Sequence, residues 1–390
     1  MKILIFAEVY YPDVMGGGEF STKQMTEGLV KKGHKVTVYC LGKDSRKEMI
    51  NGVCVKRRYI KGLSEHFLSN TKNNRIKDPF TQFDKIARKR GDIYRRRKWY
   101  EAYKAVISKE NPDVVHTVSP MSYLGRFNLW KAAYDLKIPV SHVSRGPNLL
   151  ELKFLGGILD GYNINRNAKA SSYLTAFAAP SRYMLKRHNQ VGIRGQRFND
   201  VIYNAVDFKP VELTKELIEQ KENMVLYAGA FRKEKGLNTL IEAVEKINGV
   251  RLLLIGGGEL EALLKADKRV EVIDWMDRKN LFAYMKSAKA VILPSKWNEP
   301  FGRILIEAIN NGTIAIGSDK GGIPEVLGFN DDYIFESGNE DELKKRIERV
   351  INLPDSVYLE EVCSLQKMVS GFSDEEYVDN WERFFLQQLS

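Results

Sequence analysis

The sequence has few cysteines and no long apolar run. Its 390 residues include three cysteines, whose spacing matches neither a metal-binding nor a redox motif. So small a set, odd in number, fits a reducing cytosol. No apolar stretch approaches the roughly 20 residues of a bilayer-spanning helix, so we expect none. The apolar start, residues 2–7, is too short for a signal peptide and predicts a first strand.

A clear dinucleotide-binding fingerprint is also missing. Neither half contains G-x-G-x-x-G, and the nearest match is GGGEL at residues 256–260. That match lacks the acidic residue expected about 20 positions later, at the end of a second strand. Nicotinamide binding is therefore disfavoured.

What remains is the composition of a soluble globular protein with an excess of positive charge. Hydrophobic residues make up 43% and charged residues 28% of the chain, and both values are ordinary. A length of 390 residues favours two domains over a single core. The net charge of +11 predicts affinity for an acidic partner.

Strand and helix patterns repeat in the two halves of the chain. In the first half, a glycine-rich loop and a helix at 21–32 follow the first strand, which is the pattern of a βαβ unit. The predicted strands are residues 2–7, 35–40, 113–119 and 139–144 in the first half, and 223–230, 250–258, 270–275, 288–294 and 313–318 in the second. This alternation predicts an α/β protein with two doubly wound, Rossmann-like domains that face each other across a cleft.

We place the first domain at residues 1–205 and the second at 206–372. The polar, helix-prone segment 210–223 is expected to contain the crossover. The C-terminal segment 373–390 has the pattern of an amphipathic helix. Since its own half offers no obvious partner, we expect this helix to pack back on the first domain.

Two glutamates in residues 294–308 carry the most information. Glu299 falls in the loop after a predicted buried strand, and Glu307 lies on the following helix. Free backbone N–H groups at the start of such a helix attract an anion. The arrangement suits a polyhydroxyl ligand with phosphates at the helix start, although a pair of solvated glutamates is the alternative.

A basic loop at residues 229–236 precedes this pair. It places Arg232, Lys233 and Lys235 between a strand and the next helix. Cations beside a helix start can neutralise a diphosphate. A solvated basic turn is the alternative if the loop is considered alone.

Four segments together resemble the retaining glycosyltransferases of family 4, which have the GT-B fold. They are GGGE at 16–19, GAFRKEKG at 229–236, WNEPFGRILIEA at 297–308 and GGIPEVL at 321–327. The resemblance covers most of the chain and is strongest in the second half. It implies transfer of a sugar from a nucleotide-diphosphate donor to a hydroxyl acceptor, with retention at the anomeric carbon and without a bound metal or cofactor.

The resemblance also implies roles for individual residues on the donor side. Glu299 would bind hydroxyls of the donor sugar, Glu307 would accept hydrogen bonds from the ribose, and Lys235 would stabilise the departing diphosphate. Since glycine lacks a Cβ, the glycines of the first loop would let the backbone approach the same diphosphate. The other implied donor-binding residues are Gly16, Gly17, Arg232, Phe301, Gly302, Arg303 and Ile304.

Two positions depart from the family pattern. The glycine–arginine pair that opens the lysine loop is Gly229-Ala230 here, and Arg232 is expected to substitute. Where relatives often have a histidine, this chain has Arg145, which cannot act as a base at neutral pH. With Glu299 and Lys235 it completes the predicted catalytic set, and its role would be to orient the donor sugar or the acceptor.

Two further residues are assigned to the acceptor side. They are Glu19, which follows the first glycine-rich loop, and His116, which lies near the end of a predicted strand. For His116, a structural histidine inside the fold is the alternative.

A basic and aromatic segment, residues 85–104, distinguishes the first domain. Nine lysines and arginines alternate there with large apolar residues such as Trp99 and Tyr103, and residues 56–62 add more positive charge. A solvated helix face and a nucleic-acid surface are alternatives, but the chain contains no recognised nucleic-acid module. We predict that this segment docks on an anionic membrane surface.

These features predict a metal-independent glycosyltransferase, cytoplasmic and peripheral on the inner face of the cell membrane. It would extend a lipid-linked glycan in the synthesis of a cell-surface polysaccharide. One alternative is a nucleotide-sugar epimerase or a sugar phosphorylase on the same fold, although the scarcity of histidine argues mildly against an epimerase. The other is a donor-binding subunit without turnover.

Overall fold

The computed structural model describes residues 1–13, 17–59, 92–118, 126–146, 149–150, 160–206 and 209–390. These residues form two compact units. Unit 1 contains residues 1–203 together with 375–390, and unit 2 contains residues 204–374. The last helix of the chain therefore belongs with the N-terminal half.

Unit 1 is built on an eight-stranded sheet with the strand order β3-β4-β2-β1-β5-β6-β7-β8. Its strands are β1 (Lys2–Phe6), β2 (Lys35–Leu41), β3 (Arg46–Ile50), β4 (Val53–Arg58), β5 (Val114–Val118), β6 (Val140–Val143), β7 (Ala176–Ala179) and β8 (Phe198–Val201). All neighbours pair in parallel except β3 and β4. The helices described in this unit are α1 (Gly17–Lys31), α2 (Asp92–Glu110), α3 (Arg126–Asp135), α4 (Asp160–Ser171) and α5 (Arg182–Gln190).

The central strands of unit 1 are buried along almost their whole length because helices cover both faces of a parallel sheet. All five residues of β5 are buried, as are four of the five residues of β1. Ile5 lies opposite Val38 on one side and His116 on the other. The predicted strands of the first half match β1, β2, β5 and β6 to within one residue at each end.

The hairpin formed by β3 and β4 was not predicted. Its strands carry many charged residues, and β3 lies at the sheet edge, where one side is free of a neighbour. The turn is Asn51-Gly52, and both residues have positive φ, 48° and 83°. Asn-Gly is a strong hairpin signal that apolar periodicity alone does not reveal.

Arg57, on β4, lies inside unit 1 rather than on its surface. It is 1% exposed and forms ion pairs with Glu48 and Asp13. Its guanidinium also donates to the carbonyls of Tyr10 and Tyr11. The positive charge of residues 56–62 is thus smaller at the surface than the sequence suggests.

The aromatic residues of α2 also pack into unit 1. Tyr103 is 6% exposed and lies edge-on to Phe6, with ring centroids 5.6 Å apart. Trp99 stacks on Tyr103 at 5.7 Å. Two aromatic residues expected at a membrane surface therefore belong to the core. Residues 60–91 and the side chains of 92–96 and 98 lie outside the described part of the chain.

Unit 2 is built on a parallel six-stranded sheet with the order β11-β10-β9-β12-β13-β14. The strands are β9 (Glu222–Ala230), β10 (Arg251–Gly257), β11 (Glu271–Ile273), β12 (Ala288–Leu293), β13 (Ile314–Ser318) and β14 (Ile334–Phe335). The helices are α6 (Lys215–Glu219), α7 (Leu237–Glu245), α8 (Glu261–Ala266), α9 (Arg278–Ser287), α10 (Arg303–Asn310), α11 (Ile323–Val326), α12 (Glu340–Ile351) and α13 (Asp355–Val369). Short 3₁₀ helices occupy Lys233–Lys235 and Ser370–Phe372.

The C-terminal helix α14 (Asp374–Leu389) buries its apolar face in unit 1. Trp381 is 1% exposed and lies 5.0 Å from the ring of His116 on β5. A Cβ built on Gly28 of α1 would lie 2.2 Å from Val378, so the glycine permits close approach of α1 and α14. No helix within the described ranges combines the length and apolarity needed to cross a bilayer.

Candidate functional site

The loops that follow four adjacent strands of unit 2 meet at one edge of its sheet. Strands β10, β9, β12 and β13 are neighbours and parallel, so their carboxyl ends lie side by side. The loop after β12 packs tightly on the loop after β13, because a Cβ on Gly321 would lie 2.2 Å from the carbonyl oxygen of Glu299. This edge therefore brings together the lysine loop at 229–236, the glycine-rich segments at 256–260 and 321–327, and Glu299.

Glu299 and Lys235 form an ion pair at this edge. Lys235 Nζ lies 2.5 Å from Glu299 Oε1, and the side chains are 18% and 10% exposed. Ser295 Oγ donates to the same oxygen at 2.9 Å. The ammonium group also lies 5.2 Å from the centre of the Trp297 ring. The pair is thus held in a mostly desolvated position where its charges act strongly on any bound group.

Backbone hydrogen bonds tie the two loops that carry this pair. The amides of Lys296 and Trp297 both donate to the carbonyl of Glu234, at 2.9 and 3.1 Å. Gly236 has φ of 71°, and a Cβ there would lie 2.0 Å from the carbonyl oxygen of Pro294. Only glycine accommodates both the left-handed conformation and this approach.

Helix α10 begins beside Glu299. Its N-cap, Gly302, has φ of 112°, and no side chain caps the first turn. The amides at Arg303 and Ile304 therefore belong to a helix start with positive polarity. Phe301 is 2% exposed and anchors this turn against Phe372, 5.4 Å away.

Glu307 forms a second charged cluster on α10. Its Oε1 accepts hydrogen bonds from Arg278 at 2.9 Å and from Arg303 at 3.2 Å. The Glu307 side chain is 11% exposed. Arg278 was missed in the sequence, where Asp277 marks only a helix N-cap. Arg303, predicted to bind the donor directly, holds the carboxylate of Glu307.

Arg232 lies apart from the Lys235–Glu299 pair and from the Glu307 cluster. Its side chain is 58% exposed, and its guanidinium is 3.9 Å from Glu234. It therefore does not join the Lys235–Glu299 pair. Its predicted role as a substitute for the family arginine requires that the side chain move.

The predicted residues of unit 1 are only partly described. Gly16 lies outside the described residues, whereas Gly17 is the first residue of α1 and Glu19 lies in its first turn. The helix starts four positions before the predicted Ser21. Arg145 lies two residues after β6, and a Cβ on Gly18 would be 3.5 Å from its Cδ. Arg145 is thus close to the start of α1.

His116 lies inside unit 1, which is the structural alternative considered from the sequence. It is fully buried between β5 and α14, with its ring 5.2 Å from Phe385 and its Nδ1 2.9 Å from Ser141 Oγ. Burial, together with the positive charge of Arg145, lowers the pKa of His116 to about 3. Its side chain is not available to an acceptor in this structure, so the expectation of a binding role for His116 is wrong.

Buried neutral histidines make the stability of unit 1 depend on pH. Burial also lowers the pKa of His188 to about 4, whereas an unfolded histidine has a pKa of about 6.5. Below pH 6.5 the unfolded chain binds more protons, so the free energy of unfolding falls. Each histidine is expected to remove about 2 kcal/mol between pH 7 and pH 5, measured by chemical denaturation.

The matched variant for this prediction is His116→Gln, which has no titrating ring. Its free energy of unfolding should fall by about 2 kcal/mol less than that of the unchanged chain over this range. An unchanged slope in the variant would contradict the assignment.

Comparisons with known proteins place this chain in a family. The family model described as Glycosyltransferase Family 4 matches residues 15–209, and that described as Glycosyl transferases group 1 matches residues 209–362. A Klebsiella pneumoniae protein named "Uncharacterized 42.6 kDa protein in cps region" is 25% identical over 346 residues, 84% of this chain and 87% of that protein. The O-antigen chain mannosyltransferase C of Escherichia coli is 22% identical over 343 residues, 82% of this chain and 83% of that protein.

A solved structure has a fold similar to that of this chain. Anabaena HepE in complex with UDP-glucose is similar with a TM-score of 0.68 and 15% sequence identity. The similarity covers 99% of this chain and 100% of that chain.

Proposed function

Because the chain belongs to glycosyltransferase family 4 and has the GT-B fold, we propose that this glycosyltransferase takes its sugar from a nucleotide-diphosphate donor and retains the anomeric configuration. The acceptor is a hydroxyl of a lipid-linked glycan, and the product belongs to a cell-surface polysaccharide. The names of the Klebsiella and E. coli relatives support this context, and the UDP-glucose complex of the Anabaena protein supports the donor class.

The observation that carries the proposal is the Lys235–Glu299 pair beside the start of α10. Glu299 accepts hydrogen bonds from sugar hydroxyls, and the ammonium of Lys235 faces the diphosphate. As the bond between the anomeric carbon and the diphosphate oxygen breaks, negative charge grows on the leaving group. A fixed cation and helix amides stabilise that charge without a metal ion.

The acceptor hydroxyl forms the new bond on the face from which the diphosphate departs, so the configuration is retained. Its proton passes to an oxygen of the departing phosphate, so no histidine is needed as a base. Arg145, whose guanidinium can only donate hydrogen bonds, orients the donor sugar or the acceptor. Gly17 and Glu19 lie in the first turn of the neighbouring α1.

Glu307 provides a test of nucleoside recognition. Its carboxylate accepts from the ribose hydroxyls while Arg278 and Arg303 hold it in place. Glu307→Ala is expected to weaken binding of a nucleoside diphosphate and of its sugar conjugate equally, by roughly 10- to 100-fold, the value of a charged hydrogen bond. Titration calorimetry with UDP and UDP-glucose, or GDP and GDP-mannose, measures both affinities.

The control for this prediction is Glu348→Ala on α12, whose side chain is 38% exposed and pairs with Lys344 one turn away. It removes the same charge and should leave both affinities within about twofold, since exposed pairs contribute little. If Glu307→Ala weakens only the sugar conjugate, the ribose assignment is wrong.

The activity itself is tested with a donor panel and a lipid extract. The purified chain is incubated with UDP-glucose, UDP-galactose, UDP-N-acetylglucosamine or GDP-mannose, with and without extracted membrane lipids. We expect one donor to release its nucleoside diphosphate in a lipid-dependent and chelator-resistant reaction, with the product's anomeric configuration unchanged by NMR. Isomerised donor without lipid indicates an epimerase, and binding without release indicates a subunit that lacks turnover.

Membrane attachment is a separate part of the proposal. The net charge of +11 supports docking on the anionic inner face of the membrane. Since Arg57 and Tyr103 are buried, the docking surface consists of other residues of the basic segments. Co-sedimentation with vesicles containing phosphatidylglycerol should fall steeply between low and high salt. If the chain does not bind these vesicles at low salt, the proposed membrane attachment is wrong.

A further inference from the structure

Tyr377 of the C-terminal helix contacts Arg145, 232 residues away in sequence. The guanidinium of Arg145 donates to the Tyr377 hydroxyl at 3.2 Å. The same hydroxyl donates to the backbone carbonyl of Ser21 in α1 at 2.9 Å. One oxygen atom thus links Arg145 to the first turns of α1.

The chemistry of the three groups fixes the direction of both hydrogen bonds. A carbonyl oxygen can only accept, so the hydroxyl hydrogen points to Ser21. The oxygen lone pair then faces Arg145, whose guanidinium can only donate. A hydrogen bond with one charged partner is about twice as strong as a neutral one.

Packing holds both partners of this bond. Tyr377 is 2% exposed, and its ring lies edge-on to Trp381 at 6.2 Å. The arm of Arg145 passes Gly18, where a Cβ would lie 3.5 Å from its Cδ. The preceding residue, Ser144, donates to the carbonyl of Gly146 at 2.9 Å and anchors the backbone.

An arginine side chain that is not braced samples many rotamers, and a ligand that needs one of them must order it. Tyr377 removes that requirement before the ligand arrives. We propose that Tyr377 is a positioning residue, which holds the Arg145 guanidinium in the orientation that contacts a hydroxyl or phosphate oxygen of the substrates. The inference rests on the proposed function and adds a residue from the far end of the chain to it.

The test compares Tyr377→Phe in two backgrounds, with the donor of the panel that releases the most nucleoside diphosphate. Phenylalanine keeps the ring packing and removes only the hydroxyl. We expect kcat to fall roughly tenfold, with the donor KM within about twofold, because unit 2 still binds the donor. In an Arg145→Ala background the same change should alter kcat less than about twofold, since the guanidinium that Tyr377 positions is absent.

A matched control separates positioning from folding. Tyr358 is another buried tyrosine, in unit 2, whose hydroxyl accepts from the amide of Ile314 at 3.1 Å and donates to the carbonyl of Lys289 at 2.7 Å. Tyr358→Phe deletes the same atom and two hydrogen bonds. It should lower the unfolding temperature about as much as Tyr377→Phe while kcat stays within about twofold.

Three results overturn the inference without touching the role of Arg145. They are an unchanged kcat in Tyr377→Phe, an equal loss in both backgrounds, and an equal loss in Tyr358→Phe. Full activity in Arg145→Ala would instead remove the role of Arg145 from the proposed function, and the inference with it. Loss in Arg145→Ala without loss in Tyr377→Phe leaves the proposed function intact and removes the inference alone.

Discussion

Replacing Lys235 by alanine is expected to lower kcat for sugar transfer by roughly 100- to 1000-fold, the usual effect of removing one donor that stabilises transition-state charge. The Lys235 side chain is 18% exposed, and its ammonium is held by Glu299 and the Trp297 ring. Since water screens it poorly there, its attraction to a departing diphosphate is strong. Steady-state release of nucleoside diphosphate measures the change.

Lys233 provides the matched control because it lies on the same 3₁₀ turn and is exposed. Lys233→Ala removes the same charge and should change kcat less than about threefold. Because Lys235→Ala also leaves Glu299 without its ion-pair partner, the double variant Lys235→Ala/Glu299→Gln should regain thermal stability but not activity. Similar small losses in Lys233→Ala and Lys235→Ala would show that the leaving group is stabilised elsewhere.

Glu299→Ala should weaken the affinity for the nucleotide sugar but not the affinity for the nucleoside diphosphate. Binding of the nucleotide sugar is expected to weaken by roughly 10- to 100-fold, because a charged hydrogen bond to a sugar hydroxyl is lost. Binding of the nucleoside diphosphate alone should stay the same or tighten, since Lys235 no longer pairs with a carboxylate and is available to phosphate. Titration calorimetry with both ligands on the same variant gives the contrast.

Glu299→Gln separates charge from shape in this experiment. It keeps one carbonyl oxygen for a sugar hydroxyl but weakens the hold on Lys235, so sugar binding should lie between that of the alanine variant and the unchanged chain. The opposite pattern, in which the nucleoside diphosphate loses as much affinity as its sugar conjugate, would assign Glu299 to the nucleotide and not to the sugar.

Both predictions depend on how unit 2 brings its loops together. Lys235 and Glu299 are 64 residues apart, and each follows a different strand, β9 or β12. These strands are hydrogen-bonded neighbours. The carbonyl of Glu234 then accepts from both Lys296 and Trp297 and fixes the distance between the loops. A variant that loosens this backbone contact should therefore weaken sugar binding and lower kcat together.

The sequence predicted much of the fold because parallel strands that are covered on both faces are apolar throughout. The predicted second-half strands match β9, β10, β12 and β13 to within one residue at each end. Short or charged strands escaped prediction. β7 has only four small or apolar residues, and β3 and β4 each carry three charged residues in a row at or next to the sheet edge.

The sequence could not decide which charged residues are buried. Arg57 was counted with a basic surface, yet four polar neighbours from β3 and the segment after β1 hold it inside unit 1. His116 was given an acceptor role, yet α14 covers it completely. In both cases most of the partners lie more than 40 positions away in sequence, so no local pattern marks them.

The sequence by itself determined the long buried strands and their order along the chain, the loops that carry Glu299 and Lys235, and the family. Those features are local, since periodicity and turn residues act over a few positions. Only the tertiary structure decided that Lys235 meets Glu299, that Arg278 meets Glu307 and that Tyr377 meets Arg145. A chain with 61 lysines and arginines offers each carboxylate or hydroxyl many partners, and strand order and helix packing select one of them.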